Sequence, residues 1–397
     1  MNSVAFSLGD LVREYRTKSE MTLSELARAT DVSKGTLSKL ENGEVKKPDY
    51  QKLQVVMQVL GIPYEDYIGL YVQGEKNTLS LWTILEETIE RKCSSTIISQ
   101  IAKRYLIIVK GESYDAVAEL YRFAMKQEEE SVKFDLLSLI FNYSRSHGIM
   151  PYYAKSLFQK YIIERNDFTK LNETYQSGKY ILNYAGFLDE EDRLGLYYRL
   201  AVHAYSLSEY LESIDLSHYV VVHTEPENIL RSYAVFTICN AHYYLNEFDK
   251  SREYFRECTK FEDSYSQDNV KFMIGCINAR SGNIELGMKQ LESYLENPSE
   301  WNIVHAVVAL MDIYMSRVAV ESAKKLFEYE TIMEKSIQDP RTAPLKRAHL
   351  AHYYKLKGDI LLYDNDSEAA LEYYAKSTIE YSKISAHNKA YNWLCLS

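Results

Sequence analysis

Apolar side chains recur every three or four positions along most of the chain, which is the spacing of an amphipathic α-helix. In the first fifty residues, Leu23, Leu26 and Ala27 form one short apolar face, and Leu37 and Leu40 form another. Beyond about residue 80 the pattern indicates helix after helix, each of roughly 13 to 18 residues, with almost no alternating strand signal. Glycine and proline are scarce, at 15 and 7 in 397 residues. The sequence therefore predicts an all-α protein.

A segment near the N-terminus predicts two short helices joined by a tight turn. Thr22 and Glu25 have the spacing of a capping box, in which each side chain bonds a backbone N–H that the first helical turn leaves free. Asp31 suits the geometry of the turn, and Ser33 is a second N-cap that opens a helix ending at Glu41. This arrangement is a helix-turn-helix, and DNA is the first ligand to consider for it.

The second helix of this motif would turn small, hydroxylated and cationic residues outward. Small residues let the backbone enter the major groove, and lysine side chains can reach guanine or phosphate oxygens. A turn and a basic loop follow the helix. The predicted DNA-binding residues are Thr22, Ser33, Lys34, Gly35, Thr36, Ser38, Lys39, Asn42, Lys46 and Lys47.

Residues 8–68 resemble the Xre/Cro/C1 family of five-helix DNA-binding domains, with Leu-Ala on the first motif helix and Ser-x-Leu-Glu-Asn-Gly ending the second. In that family the residues at the places of Lys34 and Lys39 commonly touch bases. Phosphate contacts come from the places of Thr22, Thr36, Ser38, Asn42 and the following loop. The family's usual turn glycine is Asp31 here, and a common polar base reader is Gly35. The resemblance therefore implies fewer base contacts than usual.

The charge distribution favours a dimer. Residues 1–62 hold nine Lys/Arg and eight Asp/Glu, a net charge of +1. Since the whole chain has a net charge of −10, the other 335 residues carry −11. Those acidic residues would be repelled by DNA, and a single DNA-binding module near neutrality should bind weakly. Two motifs on one duplex require a two-fold axis, so we expect a homodimer on a double-stranded operator.

The length exceeds that of one ordinary hydrophobic core and predicts more than one domain. We expect a DNA-binding domain over residues 1–72, a linker over 73–80 and a repeat domain over 81–397. In the repeat domain, turns of Gly, Asn or Asp occur near residues 246, 282 and 364, and the first two are about 36 residues apart. This spacing resembles the tetratricopeptide repeat of about 34 residues. The expected architecture is an α-solenoid of tetratricopeptide-like helix pairs.

Such a solenoid exposes a groove along the first helix of each pair, where extended peptides can bind. Asparagine suits this task because its amide both donates and accepts hydrogen bonds. Asn240 lies eight residues before Phe248, and Asn142 lies six before Gly148, which are equivalent places by repeat phase. An isolated asparagine is more often a capping or surface residue. The candidate peptide-binding residues are Asn142, Asn183, Asn240, Asn278, Arg280 and Asn302.

The fusion of an Xre-type motif to such repeats resembles the RNPP family of quorum-sensing regulators, with PlcR-, PrgX-, NprR-, Rgg- and Rap-like members, and possibly phage arbitrium receptors. The resemblance implies that a short signalling peptide binds the groove and shifts a dimer between DNA-binding arrangements. It also implies pairing through the repeat domains. Two alternatives stay open, which are recruitment of a protein partner by the repeats and a Rap- or NprR-like phosphatase cofactor that binds a response regulator.

Enzyme signatures are missing from the sequence. No P-loop, HExxH, GxSxG, GxGxxG or paired CxxC pattern occurs, so we expect neither an enzyme nor a cofactor. His349 and His352 could share one helix face as metal ligands, but the pattern shows no third ligand.

The remaining features indicate a cytoplasmic protein without a membrane partner. There is no signal peptide, and the longest apolar runs are too short to span a bilayer. Scattered cysteines are typical of reduced, mostly buried thiols. They are Cys93, Cys239, Cys258, Cys276 and Cys395.

Overall fold

The computed structural model describes residues 6–45, 47–109, 113–339 and 342–384. In these ranges the secondary structure consists of helices and turns without a β-strand, which confirms the predicted all-α class. The chain forms two compact units, of which the first ends at Lys160 and the second begins at Tyr161.

The N-terminal part of the first unit holds the helices of the predicted DNA-binding domain, and further helices follow without a long gap. The helices of this unit are α1 (Leu8–Lys18), α2 (Leu23–Thr30), α3 (Lys34–Glu41), α4 (Tyr50–Val59), α5 (Tyr64–Gly74), α6 (Thr78–Glu90), α7 (Ser95–Ile108), α8 (Ser113–Met125) and α9 (Glu130–His147). Helix α10 (Met150–Glu164) contains the boundary between the units.

Local side-chain bonds start α2 and α3 where the sequence predicts. Thr22 and Glu25 close the capping box of α2. Ser33 caps α3, because its hydroxyl accepts a hydrogen bond from the backbone N–H of Thr36 at 3.1 Å. Between the helices, Asp31 adopts a left-handed conformation with φ of 54°, which aspartate tolerates better than most residues. The predicted helix-turn-helix is therefore confirmed as local structure.

One hydrophobic core extends through the first unit from Leu11 to Ile149. At its N-terminal end, α1 and α3 approach so closely that a Cβ on Gly9 would lie 2.2 Å from the carbonyl oxygen of Leu40. The DNA-binding helices and the helices after them therefore share their apolar packing.

The segment predicted as a linker, residues 73–80, is mostly helical. Helices α5 and α6 leave only three residues between them. One of these, Glu75, is 1% exposed, and its carboxylate accepts hydrogen bonds from the backbone N–H groups of Lys76 and Asn77, both at 2.7 Å. The expected domain limits stay a prediction, while the compact units divide at residue 160.

The second unit continues with helices arranged along the chain. They are α11 (Leu171–Ile181), α12 (Glu190–Ser206), α13 (Tyr210–Val222), α14 (Ile229–Tyr244), α15 (Phe248–Cys258), α16 (Ser264–Arg280), α17 (Ile284–Leu295), α18 (Ile303–Ser316), α19 (Val320–Lys325), α20 (Glu330–Lys335), α21 (Pro344–Tyr363) and α22 (Ser367–Ser382), with short 3₁₀ segments at Phe168–Lys170, Leu182–Phe187 and Leu326–Tyr329.

Neighbouring helices of this unit pack as pairs, namely α12 with α13, α14 with α15, α16 with α17 and α21 with α22. Where a pair crosses, the second helix places a small residue against the first. The hydroxyl of Ser251 donates to the carbonyl oxygen of Cys239 at 3.0 Å. A Cβ on Gly287 would lie 2.4 Å from the backbone nitrogen of Ala279. These contacts agree with the predicted array of helix pairs.

The turns inside three pairs use residues that accept left-handed geometry. Asn246 has φ of 60°, Gly282 has φ of 104° and Asn365 has φ of 65°. Glycine and asparagine adopt these conformations at low cost. The turns predicted near residues 246, 282 and 364 are therefore present.

Candidate nucleic-acid interface and peptide groove

Helix α3 is anchored at its C-terminal end by a buried ion pair with α1. The Nε of Arg16 donates to Oε1 of Glu41 at 2.6 Å, and its Nη2 donates to Oε2 at 2.9 Å. Only 4% of the Glu41 side chain is exposed. The hydrogen bond to Glu41 raises the pKa of Arg16. Such a two-point contact fixes both position and orientation of the helix end.

The opposite face of α3 is open to solvent. Its exposed residues are Ser33, Lys34, Gly35, Thr36 and Lys39, and Ser38 is half-buried. Within the described ranges, Lys34 and Lys39 have no recorded ion pair. A Cβ on Gly35 would meet nothing within 4 Å, so packing inside the protein does not require glycine there.

Several of the predicted DNA-binding residues already make bonds within the protein. The hydroxyl of Thr22 lies 2.7 Å from Oε2 of Glu25, and bonds from the Thr22 backbone and hydroxyl lower the pKa of that carboxyl group. Ser33 caps its own helix. Asn42 accepts a hydrogen bond from Nη2 of Arg13 at 2.7 Å through Oδ1, which leaves its amide N–H groups as donors.

The basic loop after α3 contacts the junction between α5 and α6. Nζ of Lys47 lies 2.7 Å from Oε1 of Glu75. Burial raises the pKa of Glu75, but hydrogen bonds from Lys47 and from the backbone of Asn77 and Lys76 outweigh it and lower the pKa overall. Lys46, predicted to contact DNA with Lys47, lies outside the described residues.

Polar contacts also join the DNA-binding helices to α6 and α7 inside the first unit. The hydroxyl of Tyr50 donates to Oε2 of Glu87 at 2.7 Å. The Nη2 of Arg104 donates to the carbonyl oxygen of Glu75 at 3.0 Å. Sequence periodicity contained no signal for these contacts, because they join residues about 30 or more positions apart. They hold α4 against α6, and the junction between α5 and α6 against α7.

In the second unit, α14 presents Asn240 on a half-buried face. The half-buried residues of this face follow one another every three or four positions, and they are Tyr233, Thr237, Asn240 and Tyr244. The Oδ1 atom of Asn240 is buried and makes no recorded hydrogen bond in the described structure. A buried amide oxygen without a donor costs about 1 to 3 kcal/mol, so this atom is suited to a ligand N–H.

The candidates on α16 are placed differently from Asn240. Asn278 donates from Nδ2 to Oε1 of Gln290 at 2.8 Å. Arg280 is exposed, donates to Oδ1 of Asn246 at 2.5 Å and stacks 4.6 Å from the ring centre of Tyr243. Both side chains have internal partners that a ligand would have to replace or share.

The other candidate asparagines differ from Asn240 in burial and in their hydrogen bonds. Asn302 is buried, and its Nδ2 donates to Oδ2 of Asp268 at 2.9 Å and to Oδ1 of Asn269 at 3.1 Å. Asn183 is exposed and donates to a carbonyl oxygen of its own segment. Asn142 is exposed on α9 in the first unit. Peptide binding by these residues stays a prediction.

An aromatic row crosses consecutive repeats, and the sequence reasoning missed it. Tyr198 and Tyr233 have ring centres 5.9 Å apart, Tyr233 and Tyr265 5.4 Å, and Tyr265 and Trp301 5.3 Å. These residues recur at roughly one-repeat intervals, a signal that was available in the sequence. We call Tyr198, Tyr233, Tyr265 and Trp301 the aromatic row.

Histidines connect α14, α18 and α21. The Nδ1 atoms of His305 and His349 are 2.7 Å apart, and the hydroxyl of Tyr244 lies 3.4 Å from Nε2 of His349. Burial, aided by the charge of Lys346, lowers the pKa of His305 to about 4. His352 instead lies 2.9 Å from Oδ1 of Asp312. Within the described part of the chain, no group of three or more His, Cys, Asp or Glu side chains could hold a metal ion.

Two further sequence expectations concern cysteines and membranes. Cys93, Cys239, Cys258 and Cys276 are buried free thiols, and Cys395 lies outside the described residues. No helix in the part of the chain that was searched has the length and apolar character needed to cross a bilayer.

Comparison with known proteins identifies the N-terminal part. The helix-turn-helix family model matches residues 12–67, which cover α2 to α4 and most of α1 and α5. The match agrees with the helix-turn-helix that the sequence predicts for these residues. A search of curated proteins found no match.

Two solved structures are similar to the chain over almost its whole length. One is a Rap protein complexed with competence and sporulation factor, with a TM-score of 0.40, 11% identity, and coverage of 97% of this chain and 96% of that one. The other is Bacillus thuringiensis PlcR in complex with the peptide PapR7 and DNA, with a TM-score of 0.26, 14% identity, and coverage of 98% and 99%.

Proposed function

We propose that this protein is a transcription regulator that binds an operator through α3 and whose DNA binding is modulated by a short signalling peptide held in the repeat domain. The observation that carries the proposal is the open face of α3. Lys34 and Lys39 are exposed there on a helix whose end is fixed by Arg16 and Glu41. A rigid helix with outward cations and small residues suits the major groove.

Within this proposal Lys34 and Lys39 contact bases or nearby phosphates. Lys47 and the amide of Asn42 contact phosphates and fix the register of the protein on the duplex. Because Gly35 supplies no side chain, sequence discrimination rests on few base contacts. Pairing of two copies through the repeats then provides the additional contacts that tight binding requires.

The peptide is proposed to lie along the first helices of the pairs, with Asn240 as its main backbone partner. Its orphaned amide oxygen accepts a peptide N–H, and Asn278 contributes after exchanging its bond with Gln290. Occupancy changes the angles between helix pairs and so the separation of the two recognition helices of a dimer. A coupling of about 1 to 3 kcal/mol is enough to act as a switch.

The DNA-binding part is tested by a double Lys34→Ala, Lys39→Ala variant. Duplexes selected from a random pool by the parent protein serve as the probe, and affinity is measured by fluorescence anisotropy at fixed salt. Each good bidentate base contact contributes roughly 1 to 3 kcal/mol, so we expect a loss of about tenfold or more. Lys126→Ala is the matched control, because Lys126 is exposed in the same unit outside the matched domain. An unchanged affinity of the double variant would contradict the proposal.

The dimer is tested by light scattering of the full chain at micromolar concentration. We expect the mass of two copies, with hydrogen-exchange protection on dimerisation in residues beyond 80. A monomer under these conditions would contradict pairing through the repeats.

The peptide part is tested by calorimetry with peptides that the parent retains from a synthetic library. Asn240→Ala and Asn278→Ala should each weaken binding, whereas Asn297→Ala, at an exposed site, should not. A peptide at about 100 times its dissociation constant should also stabilise the protein by about 2.7 kcal/mol. Equal binding by parent and both variants would remove these two residues from the site.

A further inference from the structure

A tyrosine of α14 contacts a helix that is far from it along the chain. The hydroxyl of Tyr244 lies 3.4 Å from Nε2 of His349. Tyr244 is the last residue of α14 and His349 lies in α21, so the contact joins residues 105 positions apart. The helices α15 to α20 lie between them in the sequence. This contact therefore connects helix pairs that do not follow one another in the array.

A second histidine extends the contact to α18. The Nδ1 atoms of His305 and His349 are 2.7 Å apart, and the two rings meet edge to face with centres 4.7 Å apart. A bond between two ring nitrogens needs a proton on one and a lone pair on the other. Burial, aided by the charge of Lys346, lowers the pKa of His305 to about 4, so this ring is neutral at pH 7. We call the chain of Tyr244, His349 and His305 the polar tie.

The ring of Tyr244 also packs against the preceding helix pair. It stacks nearly parallel to the ring of Tyr210 in α13, with centres 5.4 Å apart and an interplanar angle of 8°. The ring of Tyr205 in α12 meets it edge to face, with centres 5.9 Å apart. The polar tie and these ring contacts join α12, α13, α14, α18 and α21. A change in the angles between these helices therefore has to stretch or break some of these contacts.

Asn240 lies one helical turn before Tyr244 on the same half-buried face of α14. Its Oδ1 atom is buried and has no recorded hydrogen-bond donor in the described structure. A ligand N–H can reach a buried oxygen only after the surrounding side chains move. Since a buried acceptor without a donor is unfavourable, a ligand that supplies a donor favours the rearranged state.

We infer that the polar tie holds the repeat array in a closed arrangement that covers Asn240, and that a peptide binds after the contact between Tyr244 and His349 opens. The inference rests on the proposed peptide-binding function and adds the contact that controls access to the site. Only the open fraction of the protein binds, so the tie weakens the observed affinity for peptide. Removing the tie should therefore strengthen peptide binding, although it deletes a hydrogen bond.

The test removes the tie from either side. Tyr244→Phe keeps the ring that packs on the preceding pair and loses the bond to His349. His349→Phe keeps a ring at the other end and loses both ring nitrogens. Tyr254→Phe is the matched control, because the hydroxyl of Tyr254 lies 3.1 Å from Nε2 of His218 and joins α15 to α13, which belong to adjacent pairs. All three variants lose a tyrosine–histidine bond, but only the first two lose one that joins distant helices.

Peptide binding is measured with a mixture of short synthetic peptides incubated with the full-length parent. Retained peptides are identified by mass spectrometry and titrated by calorimetry into the parent and the variants. We expect Tyr244→Phe and His349→Phe to bind them severalfold more tightly and with faster association, because less of the protein is held closed. Tyr254→Phe should bind as the parent does.

A second readout follows the opening without peptide. Hydrogen exchange of the full-length protein should be faster in Tyr244→Phe near the C-terminal end of α14 and in the first turns of α21 together. Tyr254→Phe should instead change exchange in α13 and α15. Exchange in α14 and α21 that matches the parent would show that the tie does not hold these helices together.

The outcomes separate the inference from the function on which it rests. Equal or weaker peptide binding by both tie variants would refute control of access by the tie, while peptide binding itself stands. Retention of peptides by Tyr244→Phe but not by the parent would support the tie as a barrier. Retention by neither would contradict the proposed function and the inference together. A large fall in melting temperature in both tie variants, without a gain in binding, would show that these residues support folding instead.

Discussion

Helix α3 and the helices of the second unit hold their polar side chains in different ways. On α3, Lys34 and Lys39 face solvent, and the bond between Arg16 and Glu41 lies beneath them. In the second unit, several polar side chains are buried and bonded to each other or to the backbone of distant helices. Examples are Asn302 with Asp268 and Asn269, Lys346 with the carbonyls of Glu300 and Ser336, and Arg347 with Glu380.

This difference agrees with the two ligands proposed for the two regions. A DNA duplex is a rigid polyanion, and a preset cationic surface can bind it without rearrangement. Among the candidate peptide contacts, Oδ1 of Asn240 has no recorded partner among the described residues, whereas Asn278 and Arg280 are already bonded within the protein. A peptide would exchange the bonds of these two side chains, and each exchange would change how the helices are held. The repeat unit is therefore suited to convert binding into movement, because packed interfaces switch between discrete arrangements.

The largest effect should come from the anchor beneath α3. Arg16→Ala would leave Glu41 buried without its main partner, which typically costs about 3 to 5 kcal/mol. Hydrogen exchange followed by mass spectrometry should show faster exchange in α1 and α3, together with loss of DNA binding. Lys18→Ala is the control, since its pair with Glu14 is exposed and should have no measurable effect. Unchanged exchange in α3 would show that the anchor is dispensable.

The second effect is a pH dependence confined to the repeat unit. Burial lowers the pKa of His203 and His305 to about 4, with Arg165 and Lys346 contributing. In the unfolded chain the two histidines bind protons near pH 6.5, whereas in the folded chain they do so only near pH 4. The free energy of unfolding is therefore highest above pH 6.5 and falls as the pH decreases toward 4. Each histidine lowers the free energy of unfolding by at most about 1.4 kcal/mol for each pH unit in this range.

Hydrogen exchange at a series of pH values should show this loss in the second unit, after correction for intrinsic exchange rates. The matched domain at residues 12–67 contains no histidine and is the internal reference. His305→Gln should reduce the pH slope by about half. Equal destabilisation of both regions would contradict the assignment to the histidines.

A smaller effect is expected at Gly35. Glycine in a helix interior costs about 0.5 to 1 kcal/mol relative to alanine, and a Cβ at this position meets no atom within 4 Å. Gly35→Ala should therefore slow exchange in α3, whereas Gly9→Ala, whose Cβ would collide with Leu40, should accelerate it. Weaker operator binding by a stabilised Gly35→Ala variant would show that the DNA backbone approaches this position closely.

The smallest effect concerns the basic loop. Glu75→Gln should weaken the bond to Lys47, whose side chain is 48% exposed, and free it for phosphate. We expect severalfold tighter DNA binding at low salt and a salt dependence steeper by about one unit of slope. Glu44→Gln is the control, since it removes the same charge from an exposed site in the same domain. The same gain in both variants would indicate net charge as the cause, not release of Lys47.

The sequence by itself determined the features that depend on contacts three or four residues apart. The capping box of Thr22 and Glu25, the cap of Ser33 and the turn at Asp31 are set by local backbone geometry, so spacing predicts them. Ser251 and Gly287 lie at helix crossings, each five residues after a left-handed turn residue. Helical class followed from local signals of this kind, and the DNA-contacting face of α3 stays a prediction.

Tertiary structure alone decided which distant side chains meet. Lys47 joins Glu75, and the side chain of Asn302 is buried against Asp268 and Asn269. These outcomes depend on the crossing angles and separations of helices, which small errors in register would change completely. An asparagine or arginine has the same local pattern whether it faces a ligand or a buried carboxylate. Its role is therefore settled when the helices pack, because packing decides which polar group stays without a partner.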